Sequence, residues 1–318
     1  MTPFEERSRV EASKVPPLTL FDEPPSWQER LPAKQCEEWH RCRRSSDARL
    51  MGGAVYNAPM HRDEIIELFQ RAAADREHGA VEIERTLIRG LLDIEARLRL
   101  ESLHRGLKML AEGQPAMANL RAMTTWMAAI ESPASCVARL ARRAAVLDEL
   151  PGRLAANTWS HIESSTTVVT LSRSSAVAAA IEGAWERGWA GSAVVLDGTA
   201  SGRGADQARR LEVSGRAVSR PDADASVWLD GAAVVVCVGA DAVGERRFVN
   251  SAATWDLLEL ARQRQVETLL VADTSKDVEE DVLDEILSLS PLHRESPGRE
   301  WPIFEAVPLE FVTVRVTE

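Results

Sequence analysis

Apolar and polar positions follow three different patterns along the chain. Through residue 60 the apolar side chains stand singly, and seven of the fifteen prolines (Pro3, Pro16, Pro17, Pro24, Pro25, Pro32, Pro59) fall there. A stretch without a continuous apolar face buries too little area to offset the entropy of ordering it, so residues 1–60 read as a disordered arm. A translation start at Met51 or Met60 is the second reading of that stretch. From His61 to about Ser164 the apolar period is near 3.6. Ile65, Ile66, Leu68 and Phe69 begin one helical face, and Val81, Ile83, Leu87, Ile88, Leu91 and Leu92 form a second. Pro115 is placed to open a helix carrying Leu120, Met123, Trp126 and Met127, and Val137–Leu150 and Ala155–Ile162 predict two more. At Thr167 the period shortens. Strands are predicted at Val168–Leu171, Ala193–Leu196, Val213–Val218, Ala232–Val238, Thr268–Ala272 and Phe311–Val316. Helices are predicted between them at Ala176–Trp189, Ala205–Leu211, Thr254–Arg264 and Asp277–Leu287. Ala232–Val238 is apolar at every position, as in a strand buried on both faces. Alternating strands and helices with short connections specify a parallel sheet with right-handed crossovers. The predicted class is α/β: an N-terminal helical domain (61–164) followed by a Rossmann-like parallel-sheet domain (165–318).

Charge narrows the function classes. Lys and Arg total 38 against 49 Asp and Glu, a formal charge of −11, and a polyphosphate partner needs the opposite balance; no nucleic-acid partner is expected. No apolar run is long enough to cross a bilayer, and the segment MTPFEERSRVEASKVPP has no signal-peptide core, so the expected compartment is the cytoplasm, without a membrane partner. Cys36, Cys42, Cys136 and Cys237 are scattered, which suits reduced thiols. Cys36, His40 and Cys42 offer three zinc-type ligands without a second half, so they read as an accidental cluster, and no metal or cofactor is expected.

In an open α/β sheet ligands bind beyond the carboxyl ends of the strands, where loops and helix N-termini converge. Four segments lie there: Leu171–Ser175, Asp197–Gly204, Gly239–Ala242 and Asp273–Lys276. The glycines of Gly198–Gly204 lack the dinucleotide spacing and an acidic ribose partner, so that segment reads as a flexible loop. No phosphate-binding loop, metalloprotease helix or nucleophile elbow is present. All six histidines fall outside the four segments, which leaves no histidine base. Asp241 is the sharpest candidate. A carboxylate at the tip of an apolar strand can be buried enough to titrate in the range of proton transfer; its other reading is a cap of a turn or helix.

Val238-Gly239-Ala240-Asp241-Ala242-Val243, then Val249-Asn250, Thr254 and Lys276, resembles the alpha/beta/delta subunit family of translation initiation factor 2B. That family includes ribose-1,5-bisphosphate and 5-methylthioribose-1-phosphate isomerases. Asp75, Gly79-Ala80 and Glu82, Pro115 with Asn119-Leu120, Phe304-Glu305 with Pro308, and the closing Thr317-Glu318 extend the resemblance over residues 62–318. It implies a helical domain, a Rossmann-like domain, and pairing through the latter into a homodimer or with a related subunit. It also implies aldose–ketose isomerase chemistry on a small phosphorylated ligand, by a Cys after the first strand and the Asp of Gly-Ala-Asp. The Asp is Asp241, but the Cys position holds Ser172, whose hydroxyl ionises far above a thiol's ~8.5. Gln114 stands for the Arg before the family's Pro, Thr199-Ala200 for an Arg-Pro, Ser251 for a Lys and Ala253 for a Gly. Each lost charged hydrogen bond to phosphate removes roughly 1.5–3 kcal/mol. Arg173, Ser174, Gly239, Asn250 and Lys276 remain as ligand-binding candidates, with Arg203 and Arg246 as replacement cations. The favoured expectation is a non-catalytic regulatory or binding protein with a degenerate sugar-phosphate pocket. The alternative is an isomerase with Asp241 as acid/base and Ser172 polarising the substrate, and a third reading, by family analogy alone, is a subunit acting on a GTPase.

Overall fold

Each apolar stripe between residues 64 and 162 is the inner face of a helix. The computed structural model describes residues 63–318 apart from 76, 199–201, 213–214, 290–291 and 297–298, with the backbone only of 292–296 and 299–302. The arm, with Cys36, His40 and Cys42, lies outside the described residues. Helices α1 (Glu64–Ala74), α2 (Ala80–Asp93), α3 (Leu100–Gly113), α4 (Ala118–Ala128) and α5 (Pro133–Ile162) come first. Asp63 caps α1 by accepting from the Ile66 N–H at 3.4 Å. Helix α3, with Leu103, Leu107 and Leu110 buried, was not singled out by the periodicity. Pro115 precedes α4 by a turn instead of opening it.

The two helices expected on either side of residue 151 are one. Pro151 has no N–H for the Leu147 carbonyl, a loss that ordinarily breaks a helix. Here Arg85 Nη2 donates to that carbonyl at 2.6 Å. Leu147, Leu150 and Leu154, all buried, keep the same face inward through the proline, so α5 runs unbroken for 30 residues.

The chain then alternates: β1 (Thr167–Leu171), α6 (Ser175–Glu186), β2 (Ser192–Leu196), α7 (Gly204–Leu211), β3 (Ala217–Arg220), α8 (Ala225–Leu229) and β4 (Val234–Val238). After β5 (Ala242–Val243) and β6 (Arg247–Ser251) come α9 (Thr254–Gln263), β7 (Glu267–Val271) and α10 (Glu280–Ser288). The chain closes with β8 (Leu292–Ser296), β9 (Arg299–Pro302), β10 (Phe304–Pro308) and β11 (Val314–Val316). Six strands form a parallel sheet in the order β11-β7-β4-β1-β2-β3. Val169 pairs with Val194 on one side and Val236 on the other. Two antiparallel sheets, β10-β6-β5 and β8-β9, were not expected from the sequence. The last strand starts at Val314, because Leu309–Phe311 turns as a short 3-10 helix.

Both faces of the parallel sheet are covered, which explains its continuous apolar strands. Val168, Val235, Cys237 and Leu269 face the core shared with α1–α6, whereas Val169, Val236, Val238 and Leu270 face Leu229, Leu257 and Leu258. Residues 61–318 form one compact unit. Cys136 and Cys237 are unpaired and buried, and burial pushes both thiols up. No described helix is long and apolar enough to cross a membrane. The strand order reverses between β1 and β4, because β2 and β3 lie on one side of β1 and the later strands on the other. A crevice opens at such a point, beyond the carboxyl ends of the two strands.

Candidate functional site

Both strand ends flanking the crevice are shaped by tight local contacts. Ser172 leaves β1 at φ +59°, a left-handed conformation unusual outside glycine, and its N–H bonds the Leu196 carbonyl at 2.9 Å. Ser174 caps α6 by accepting from the Val177 N–H at 3.3 Å, and its carbonyl accepts from Gln207 Nε2 at 3.0 Å. Gly239, leaving β4, passes directly over this cap: a Cβ there would stand 2.3 Å from Ser174 Oγ and 2.9 Å from its Cβ. Only glycine allows that approach.

Asp241 follows. Its N–H bonds the Val249 carbonyl at 2.8 Å and its own carbonyl accepts from the Ala118 N–H at 3.3 Å, so the first turn of α4 docks on this residue. The residue is partly open to solvent. Burial pushes its carboxyl up; Lys276 and then Arg203 pull it down without cancelling the shift. Lys276 is itself buried, its ammonium donating to the Ala240 carbonyl.

The short strand β6 packs beside these strand ends. Asn250 Nδ2 donates to Thr254 Oγ1 at 3.0 Å, and Thr254 Oγ1 donates to the Ser251 carbonyl at 2.6 Å. Ser251 Oγ donates to Ser172 Oγ at 3.3 Å. The segments holding Asp241, Ser172, Ser174, Gly239, Asn250 and Lys276 are thus joined by direct or adjacent contacts at the strand ends. Ala253, just after them, sits at φ +78° before α9. A side chain in this region costs about 1–2 kcal/mol, so Ala253→Gly should stabilise the protein by about 1 kcal/mol in a urea titration. An unchanged or lower midpoint would show that the surrounding turn holds this conformation without strain.

Arg173 points to the outer rim. Its guanidinium donates to the Glu77 carbonyl and to Glu82 Oε2, both at 2.7 Å. Arg210 reaches Glu82 Oε1 at 3.0 Å and Glu182 at 3.3 Å, and Arg209 pairs with Asp206 at 2.8 Å. With His78 and Arg203 these residues, Glu182 apart, line an open recess. His78, placed away from the chemistry by strand-end reasoning, lines this recess together with Arg173, which follows β1. Arg209 and Arg210 were also missed; nothing local marks them, since Arg210 meets Glu82 across 128 positions. Arg246, a proposed replacement cation, lies in the β5–β6 turn, where its N–H bonds Glu280 at 2.7 Å. Gln114 ties down α1 by donating to the Ala72 carbonyl at 3.0 Å and the Asp75 carbonyl at 2.6 Å.

The fold recurs in solved structures. The translation initiation factor eIF-2B of Pyrococcus horikoshii OT3 superposes with a TM-score of 0.69 at 20% identity, covering 80% of this chain and 94% of that one. The tetrameric eIF2B-beta2-delta2 complex of C. thermophilum gives 0.64 at 14% identity, over 80% and 90% of the two chains. The 5-methylthioribose 1-phosphate isomerase of Pyrococcus horikoshii OT3 gives 0.62 at 17% identity, over 80% and 83%. No curated protein matches the sequence. The sequence profile of the Initiation factor 2 subunit family matches residues 76–318, the whole of the chain that carries the sheet, the crevice and most of the helices. The chain belongs to the Initiation factor 2 subunit family.

Proposed function

We propose that this chain is a non-catalytic, regulatory or binding member of its family. Its strand-end crevice would take a small phosphorylated ligand without turning it over. The observation that carries this reading is the Ser251–Ser172 hydrogen bond. These residues occupy the positions where the isomerase pattern has a lysine and a reactive thiol, and here the two hydroxyls bond each other. A serine hydroxyl ionises far above a thiol, so it is a poor proton-transfer group near neutral pH. Two further cations are already engaged, Lys276 by the Ala240 carbonyl and Arg173 by Glu82. Binding would take place through rearrangement of these contacts, with Arg203 and Lys276 as the charges nearest the Asp241 carboxyl. Pairing through the sheet-bearing region, with a second copy or a related subunit, accords with the tetrameric assembly of the C. thermophilum relative.

One observation favours the isomerase reading: burial raises the Asp241 carboxyl, as a general acid/base requires. In that reading Arg173, Asn250 and Lys276 hold phosphate or hydroxyls and Ser172 polarises the substrate. A thermal-shift series with sugar mono- and bisphosphates and nucleotides, followed by turnover assays on each hit, separates the two. The expected result is stabilisation without turnover; a ligand at a hundred times its Kd adds about 2.7 kcal/mol. Aldose–ketose turnover that disappears in Asp241→Asn would establish the isomerase instead, and no stabilisation by any phosphorylated compound would leave the crevice without a ligand role.

A further inference from the structure

Helix α5 is notched where it faces α2 and α6. Pro151 leaves the Leu147 carbonyl to Arg85, and Gly152, next in line, has no atom within 4 Å of where a Cβ would stand. Further along, α5 and α6 are in close contact, since a Cβ at Gly183 would lie 2.4 Å from that of Ala155. Between these points the helices part around a cavity of about 170 Å³. A protein cavity of roughly 150 Å³ already holds a benzene-sized molecule. Leu150, Ala176 and Ala179 give it apolar walls.

Asp273 lines the same cavity and is 2% exposed. Its Oδ1 caps the following turn, accepting from the Ser275 N–H at 3.2 Å and from the Ser275 hydroxyl. Its Oδ2 is buried and receives no hydrogen bond from any described residue. A buried carboxylate oxygen without a donor is costly, so this oxygen calls for one from outside the chain. The charges around it specify which. Glu82, Glu182, Glu186 and Asp273 line the cavity against Arg85 and Arg210, four negative groups to two positive, and Arg143, bonded to Glu84, is a further cation whose charge reaches Asp273. Arg210 is engaged by Glu82 and Glu182 and Arg85 Nη2 by the Leu147 carbonyl, while Arg85 Nε is buried without a hydrogen-bond acceptor among the described residues.

We propose that this cavity binds a small organic cation, with an ammonium or amidinium head donating to Asp273 Oδ2 and a short apolar stem against Leu150, Ala176 and Ala179. The site is separate from the strand-end crevice, which is read as taking an anion, although Glu82 and Arg210 border both. The test is calorimetric titration of the full chain with n-butylammonium chloride, with n-butanol and sodium chloride as controls at equal ionic strength. Butylammonium is expected to bind at least about tenfold more tightly than butanol. Asp273→Asn, which keeps the oxygen that caps Ser275, should remove that preference. Gly152→Leu grows into open space and should abolish binding while raising the melting temperature, because glycine is a poor residue in a helix interior. Sugar-phosphate stabilisation should survive Gly152→Leu, so failure here is distinguishable from failure of the crevice reading. Equal affinity for butanol, binding unaltered by Asp273→Asn, no heat at tens of millimolar amine, or a crystal structure in which water alone satisfies Oδ2 in the presence of the amine would each overturn the proposal.

Discussion

Arg143→Met is expected to destabilise the protein by about 3–5 kcal/mol, read from the urea midpoint at constant slope. Glu84 on α2 is 1% exposed, and Arg143 on α5 grips it with Nε at 2.6 Å and Nη2 at 2.9 Å. Asn119 on α4 adds a third donor at 2.8 Å. Burial alone would pull the Arg143 guanidinium down; the Glu84 bonds, with the Asp273 and Glu318 carboxylates behind them, hold it above its ordinary value. Methionine preserves the length and apolar stem of the side chain but strands a carboxylate in the interior with one amide for company. That uncompensated charge is the source of the large penalty. The double variant Glu84→Leu/Arg143→Met removes both charges and should recover most of the loss, since replacing a buried pair by apolar groups is often neutral or better. A single-variant cost below about 1 kcal/mol would mean that the pair behaves as a solvated surface bridge. The effect should reach the crevice, because Asn119 is the neighbour of Ala118, whose N–H holds the Asp241 carbonyl.

That connection could not have been read along the chain. Strand β4 was legible because a parallel strand covered on both faces must be apolar throughout, and from it the strand-end rule led straight to Asp241. Strand β6 was not: in Arg247-Phe248-Val249-Asn250-Ser251 only two residues are plainly apolar, and its ladder is made with β10, more than fifty positions away. The periodicity of α5 was clear on both sides of Pro151, but the donor that carries the helix through, Arg85, lies on another helix. The site shows the same division. Strand-end position picked out Ser172, Gly239, Asp241 and Lys276, the family resemblance added Asn250, and the fold joins their segments by contacts. Their present bonding, such as Ser172 with Ser251 across 79 positions or Arg173 with Glu82 across 91, belongs to the tertiary structure alone. It is this bonding that separates a poised catalytic group from an occupied one.

Asp241→Asn should make the protein more stable at pH 7 by about 1–2 kcal/mol, a rise of a few degrees in melting temperature. The direction follows from the raised carboxyl, whose shift already includes the attraction of Lys276 and Arg203. Since burial outweighs both, charging Asp241 in the fold is less favourable than charging it in the unfolded chain. The native state therefore keeps a proton that the unfolded state has released. Its contribution to stability is complete below the ordinary value of 3.8 and is lost as pH rises through the folded value. Asparagine does not titrate, so the two proteins should converge in acid and diverge toward neutrality, measured as paired denaturation curves across that range. A variant less stable than the parent at pH 7 would show instead that Lys276 and Arg203 hold the carboxylate as a structural ion pair. If the gain appears, Asp241 is a charge that the fold tolerates at a cost, which is the mark of a group kept for what it binds rather than for what it supports. Binding of a phosphorylated ligand in the crevice should then respond to Asp241→Asn although the fold does not suffer from it.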